Sequence, residues 1–263
     1  MAFGVRHCSL HFKVFLCSAA SAGMLCSSLL ADSTEPMKSR PNFIIIFADD
    51  LGYGDLGCYG HPTIATPQLD RMAKEGQRWT NFYAAAVVCS PSRAALMTGR
   101  YPVRTGTDAG VFFEWSADGL SPDEVTLAET LKRDGYATAC VGKWHLGHRP
   151  EFLPAKHGFD EYYGIPYSND MRVDPEMAVS GDVLFRKGMT LEKMREPKNK
   201  KNDWVPLIEE DVVIEYPVDQ TTLTKRYTER CVSFIKDHRD QPFFLYMAHS
   251  FPHIPLFASD AFL

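Results

Sequence analysis

The sequence predicts an α/β fold, with helices covering both faces of a mostly parallel central sheet. Three observations carry that expectation. Short continuous apolar runs recur at residues 43–48, 136–141 and 243–248, each with the length and composition of a strand buried on both faces. Amphipathic segments with helix start and stop signals lie between them. The alternation of strand and helix requires long crossover connections, which join parallel strands, and not tight hairpins.

Ahead of the first strand, residues 1–31 contain Arg6 and Lys13 but no acidic residue, and an apolar run extends from Val14 through Leu30. That is the layout of an export signal, with small residues for cleavage at Ala20-Ser21-Ala22 or at Ala31. A membrane anchor is the competing reading, yet Ser18, Ser21, Ser27 and Ser28 interrupt a run that is marginal for a span of ~20 residues. The expected organisation is a leader over 1–31, a polar linker over 32–41 and a folded core over 42–263. Such a protein has no stable membrane anchor and is secreted or periplasmic, or lysosomal in a eukaryotic cell. Cys8, Cys17 and Cys26 leave with the leader. Cys58, Cys89, Cys140 and Cys231 remain, spaced too widely for a disulfide framework or a zinc site, which leaves one of them available for chemistry.

Within the core, Thr66-Pro67 opens a helix with Leu69, Met72 and Ala73 on one face and Gly76 at its stop. Ser90-Pro91 opens a second, which runs through Ala94, Ala95, Leu96 and Met97 to Gly99. Thr126 and Glu129 have capping-box spacing at the start of a third, and Gly135 ends it. Residues 219–238 form a longer helix with Leu223, Tyr227, Phe234 and Ile235 on its buried side. Between about 171 and 218 the pattern weakens: Lys193, Arg195, Lys198, Lys200 and Lys201 cluster ahead of Glu209-Glu210-Asp211. A solvated insertion is the expectation there, and a patch for an anionic polymer is the competing reading. With 45% apolar and 23% charged residues the chain is globular in composition, and a net charge of −5 offers no basic surface for nucleic acid.

The polar residues gather just after the strands. Asp49 and Asp50 follow the first, Lys143 and His145 the second, His249 and His253 the third. In an open parallel sheet the carboxyl ends of the strands line one crevice, so these segments converge on one site. Adjacent carboxylates at a strand end repel, and either a turn or a hard divalent cation accommodates them. Pro252 and Pro255 forbid a helix that would present His249 and His253 as an i, i+4 metal pair, and His249 receives no role. Cys89 stands at a helix start, where free N–H groups favour negative charge, and Arg93 lies four residues on, on the same face. A small buried hydrophobe and a thiolate nucleophile both fit that position.

The stretch Cys89-Ser90-Pro91-Ser92-Arg93, continuing to Gly99-Arg100, resembles the sulfatase signature. Residues 41–55 are similar to that family's N-terminal metal-binding strand, and Gly142-Lys143-Trp144-His145-Leu146-Gly147 matches its second signature. Residues 164–170 and 242–253 look like arylsulfatase members. The resemblance implies an alkaline-phosphatase-like fold and hydrolysis of sulfate monoesters, with a phosphonate or phosphate ester hydrolase of the same superfamily as the alternative. It implies that a formylglycine-generating enzyme oxidises Cys89, and that Asp49, Asp50 and the modified Cys89 hold Ca²⁺, or Mg²⁺. One hydroxyl of the hydrated aldehyde attacks sulfur, and deprotonation of the other releases sulfate. Arg93 then holds the nucleophilic oxygen ionised, Lys143 neutralises sulfate oxygens, His145 assists proton removal, His253 protonates the leaving oxygen or binds sulfate, and Ser168 contacts substrate. The substrate is a sulfated small molecule or glycan.

In the family an Asp-Asn pair and a second lysine follow later in the chain and complete the site, and neither occurs after His253. The chain therefore reads as the N-terminal part of a larger enzyme. Three protein ligands fall short of the six to eight oxygens of Ca²⁺, so residues 1–263 alone are expected to bind metal poorly and to be an inactive or nearly inactive truncated homologue.

Overall fold

The computed structural model describes residues 40–196 and 201–262; the leader, most of the linker, Lys198 and Lys200 lie outside the described residues. Seven strands among them form one sheet: β1 (Phe43–Asp49), β2 (Ala137–Gly142), β3 (Glu161–Gly164), β4 (Val179–Phe185), β5 (Leu207–Glu209), β6 (Val212–Tyr216) and β7 (Phe243–Pro252), in the order β1-β7-β2-β3-β5-β6-β4. β1, β7, β2 and β3 run parallel, as does β4 with β6; β5 is antiparallel to both its neighbours. The three strands legible as apolar runs are thus adjacent, and their carboxyl ends share one edge of the sheet.

Alternation along the central strands feeds two cores. Phe244, Tyr246 and Ala248 of β7 face one layer with Cys140, and Phe243 and Leu245 face the other with Ala139 and Val141. The first layer takes Ala94 and Met97 of α2 (Cys89–Thr98) and Ala128 of α4 (Leu127–Arg133), and the second takes Leu223, Tyr227, Cys231 and Phe234 of α6 (Leu223–Asp237). Both faces are covered, as the alternation of elements requires. α1 (Pro67–Glu75) starts on Thr66 with Pro at its first turn and stops at Gly76, and α2 stops at Gly99 in the left-handed conformation. A short α3 (Pro102–Thr105) follows. The α4 capping box is closed: Glu129 N–H donates to Thr126 Oγ1 at 3.1 Å, and Thr126 N–H to Glu129 Oε2 at 2.8 Å.

Two expectations need correction. β1 is not buried on both faces. It lies at the sheet edge, paired only with β7 among the described residues, and Phe43, Ile44 and Ile46 are exposed, as are Leu69 and Met72 on the apolar face of α1. Nor is 171–218 a solvated insertion. It contributes β4, β5, β6 and α5 (Leu191–Arg195), and buries Met194, Leu207, Ile208, Val213 and Tyr216. β5 and β6 are short and a charge falls within each of the three strands, so they lack the continuous apolar run that marks β7.

Candidate active site

The carboxyl-end edge of the sheet places the functional side chains in the spatial order of their strands, β1, β7 and β2. β1 ends on Asp49, which is buried, and a shift of register pairs Asp49 with Pro252 of β7. His253 therefore comes to rest beside the Asp49-Asp50 pair, with its Nε2 3.8 Å from Asp50 Oδ2. β7 runs four residues beyond Ala248, so His249 belongs to the strand; its Nδ1 accepts from Phe251 N–H at 3.0 Å, a local brace. β2 ends on Gly142 with φ +114°, where a Cβ would fall 2.0 Å from the Ala248 carbonyl oxygen. Only glycine allows that approach, and it delivers Lys143 and His145 into the crevice. Asp50 and His145 hold φ of 62° and 56°, left-handed conformations that cost about 1–3 kcal/mol each in non-glycine residues and persist where the surroundings enforce them.

Lys143, fully buried, binds the rest together. Its Nζ donates to Asp49 Oδ2, to Ser168 Oγ at 3.1 Å and to Cys89 Sγ at 3.3 Å. The Cys89 thiol in turn reaches Asp49 Oδ1 at 3.6 Å. Arg93, also fully buried, sits 3.6 Å from Asp49 through Nη2, donates from Nη1 to the Lys143 carbonyl at 2.8 Å and to Tyr246 Oη at 3.2 Å, and lies 5.4 Å over the Phe47 ring. A cavity of about 210 Å³ opens over Asp49, Asp50, Cys89 and Arg93. The structure thus brings Asp49, Cys89, Arg93, Lys143 and Ser168 into one network, with Asp50 and His253 at its open side.

Two cations facing one buried carboxylate set the electrostatics. Burial would raise the Asp49 carboxyl, but Arg93 and Lys143 outweigh it and hold it below its ordinary range. Burial pushes the Cys89 thiol up and the Asp49 charge adds to that, more than Lys143 and Arg93 offset. The direction of that shift runs against a preformed thiolate at Cys89. Burial, reinforced by Lys143 and Arg93, holds His145 well below the ordinary imidazole range, so the ring is neutral. Its Nε2 lies 2.8 Å from the Phe112 carbonyl, which only accepts, so the single proton sits on Nε2. Nδ1 is buried without a partner and keeps a bare lone pair. That is the state of a base.

Asp49, Cys89 and His253 offer donor atoms within 4.8 Å of one another, a group able to hold a metal ion. A thiol and an imidazole favour a soft ion; an oxygen donor at position 89 beside the two aspartates favours a hard one. Sequence reasoning missed Tyr246, Phe47 and the Phe112 carbonyl, which orient Arg93 and His145. Only Tyr246 left a signal, a polar tip at a core-facing position of an apolar strand.

An open α/β sheet with an anion-handling crevice at the carboxyl ends of its strands is the class of protein that this fold and site define. The Sulfatase family model matches residues 41–263, and the chain belongs to that family. Bovine arylsulfatase A (Bos taurus) is 43% identical over 228 residues, and porcine N-acetylgalactosamine-6-sulfatase (Sus scrofa) is 42% identical over 236. Each alignment covers 85% of this chain and 43% or 42% of the relative, so the chain spans under half the length of these proteins. The crystal structure of Ps i-CgsB in complex with k-i-k-neocarrahexaose superposes with a TM-score of 0.69 and 34% identity, covering 85% of this chain and 48% of that one. The fold is that of the sulfatases. Among the described residues no helix is long and apolar enough to cross a membrane.

Proposed function

We propose that this chain carries the nucleophile half of an enzyme that hydrolyses sulfate monoesters to an alcohol or phenol and inorganic sulfate. One observation supports it above all: buried Lys143 and Arg93 converge on Asp49 and position 89, beside a neutral His145 with a bare Nδ1. The family relatives, named as sulfatases, support the same reading. Formylglycine, formed from Cys89 by a formylglycine-generating enzyme, supplies a nucleophilic oxygen and a second hydroxyl whose deprotonation allows sulfate to leave. Asp49, Asp50 and position 89 would hold Ca²⁺, or Mg²⁺, which supplies positive charge to the sulfate oxygens.

The chain's own residues do the rest. Arg93, fixed by the Lys143 carbonyl and Tyr246 Oη, keeps the oxygen at position 89 ionised. Lys143 binds the sulfate oxygens and meets the charge that grows on them in the transition state, with Ser168 holding its ammonium in place. His145 Nδ1 takes the proton whose loss frees sulfate, and the Phe112 carbonyl keeps the ring in the tautomer that can do so. His253, at the open side next to Asp50, protonates the leaving oxygen or binds sulfate.

The substrate is a sulfated small molecule or glycan, as in the relative that binds a carrageenan hexasaccharide. The domain division at 31 and 41 and the exported compartment, secreted, periplasmic or lysosomal, belong to the same proposal. Matched 4-nitrophenyl sulfate and phosphate esters decide the reaction class in protein isolated from its natural host: preferential hydrolysis of the sulfate is expected, and preferential hydrolysis of the phosphate overturns it.

A further inference from the structure

The segments that build the site continue past it into a second cleft. Residue 112 braces His145; two and three residues on, Glu114 and Trp115 line a cavity of about 320 Å³. Arg149 follows His145 by four residues, and Arg172 and Asp174 follow Ser168 by four and six, on the same walls. Two residues span at most about 7 Å, so Glu114 lies close to the residue that braces His145. A neighbouring cavity of similar size shares Arg149, Asp174 and Glu176 and extends it into a groove.

Its chemistry differs from that of the site. The turn at 113–116, closed by Phe113 N–H to Ser116 Oγ at 2.8 Å, stacks Phe113 and Trp115 face to face, centroids 4.6 Å apart and planes within 3°. Trp115 is 66% exposed and presents a flat apolar platform. Glu114, between them, lines the cavity and is only 8% exposed as a residue, and among the described residues nothing donates to its carboxylate. Its carboxylate oxygens are not among the buried unpartnered atoms; they face the cavity, where a ligand hydroxyl can donate to them. Arg149 and Arg172 form no ion pair among the described residues, and Arg172 Nε donates only to Asn202 Oδ1 at 2.7 Å. Against these two guanidiniums stand four carboxylates, Asp174, which His148 Nε2 contacts at 2.8 Å, and Glu114, Glu176 and Glu196, so carboxylates outnumber guanidiniums on the cleft walls.

We propose that this cleft is a saccharide subsite that takes an unsulfated sugar ring next to the residue whose sulfate lies at Lys143 and Arg93. The inference rests on the sulfate-ester reading. Trp115 stacks on the ring's C–H face, Glu114 accepts from its hydroxyls, and Arg149 and Arg172 donate to its oxygens. The carboxylate excess repels a second sulfate there, so the cleft selects by repulsion as well as by fit. The cationic site and the anionic cleft together set which residue of a glycan is presented for hydrolysis.

Calorimetric titration of the chain in a Cys89→Ala background, where no ester turns over, tests this with galactose 6-sulfate, a galactobiose bearing one 6-sulfate, and its doubly sulfated form. The singly sulfated disaccharide is expected to bind about tenfold tighter than the monosaccharide, the scale of one aromatic contact plus a hydrogen bond. Trp115→Ala, an exposed position, is expected to abolish that gain and Glu114→Gln to reduce it, both leaving the monosaccharide unchanged; a second sulfate is expected to erase it. An equal gain in Trp115→Ala, or tighter binding of the doubly sulfated form, overturns the subsite. If desulfated galactobiose binds as tightly as the sulfated one, through Trp115, the sulfate-ester reading fails and the saccharide cleft stands.

Discussion

Replacing Asp49 by Asn is expected to destabilise the chain more than replacing Lys143 by Met, although the two share one ion pair. Asp49 faces both Lys143 Nζ and, at 3.6 Å, Arg93 Nη2, and all three groups are buried. Loss of Asp49 leaves two buried cations that repel each other with no carboxylate between them. Loss of Lys143 leaves a balanced Arg93–Asp49 pair. Removing one partner of a buried pair costs about 3–5 kcal/mol when the survivor is left unpaired, and Asp49→Asn belongs at that level. Lys143→Met strands only the Ser168 hydroxyl and relieves repulsion, so about 1–2 kcal/mol is expected. At about 2–4 °C per kcal/mol for a domain of this size, Tm falls by roughly 6–20 °C in the first variant and roughly 2–8 °C in the second. Urea and thermal unfolding at pH 7 with chelator present measure both. Because the Asp49 carboxyl is held below its ordinary range, its contribution is complete above that range and is lost as pH falls through the depressed value; the Asn variant lacks that loss. Equal destabilisation of the two variants, or the reverse order, refutes the charge reasoning.

Other consequences are as direct. In active protein, His145→Ala is expected to lower kcat on an aryl sulfate by about 10²–10⁴ with little change in KM, and an unchanged kcat removes the ring as the base. Unconverted Cys89 is expected to alkylate with iodoacetamide more slowly than a free thiol at pH 8, since burial and Asp49 raise it; fast alkylation shows a thiolate. His157, buried against Trp144 with both ring nitrogens unpartnered, has its pKa lowered by burial to about 4. The unfolded chain therefore takes up its proton first, and up to about 3 kcal/mol of stability, complete above about pH 6.5, is lost as pH falls to about 4. His157→Leu flattens that window if the assignment is right, and an unaltered slope rejects it. Ca²⁺ is expected to bind the 263-residue chain only in the millimolar range, since Asp49, Asp50 and position 89 supply too few oxygens; micromolar affinity by calorimetry contradicts the donor count.

What the sequence showed of the site is what chain direction controls. A buried parallel strand is an apolar run, and the residue after it stands at the sheet's edge, so Asp49, Lys143 and the His253 segment were legible without coordinates. Cys89 and Arg93 were legible because a helix start and an i, i+4 spacing are local. The groups that orient them were not. Tyr246 acts from a core position, Phe112 through its carbonyl, and Asp50 and His145 through left-handed backbone that no side-chain pattern announces. The strands between 171 and 218 escaped for a related reason: β5 and β6 bury Leu207, Ile208, Val213 and Tyr216 in segments of three and five residues with Glu209 and Glu215 among them. Glu215 is itself buried, paired with Arg186 and Arg226, so its charge signalled solvent where there was core.

The mass of the tryptic peptide from Trp79 to Arg93, taken from the natural host, tests sulfate-ester hydrolysis at this site most directly. An aldehyde at position 89 is the expected result of the proposed reaction, since Lys143, Arg93 and the bare Nδ1 of His145 gather around that position, where the thiol's own pKa is raised. An unmodified thiol in every molecule contradicts it.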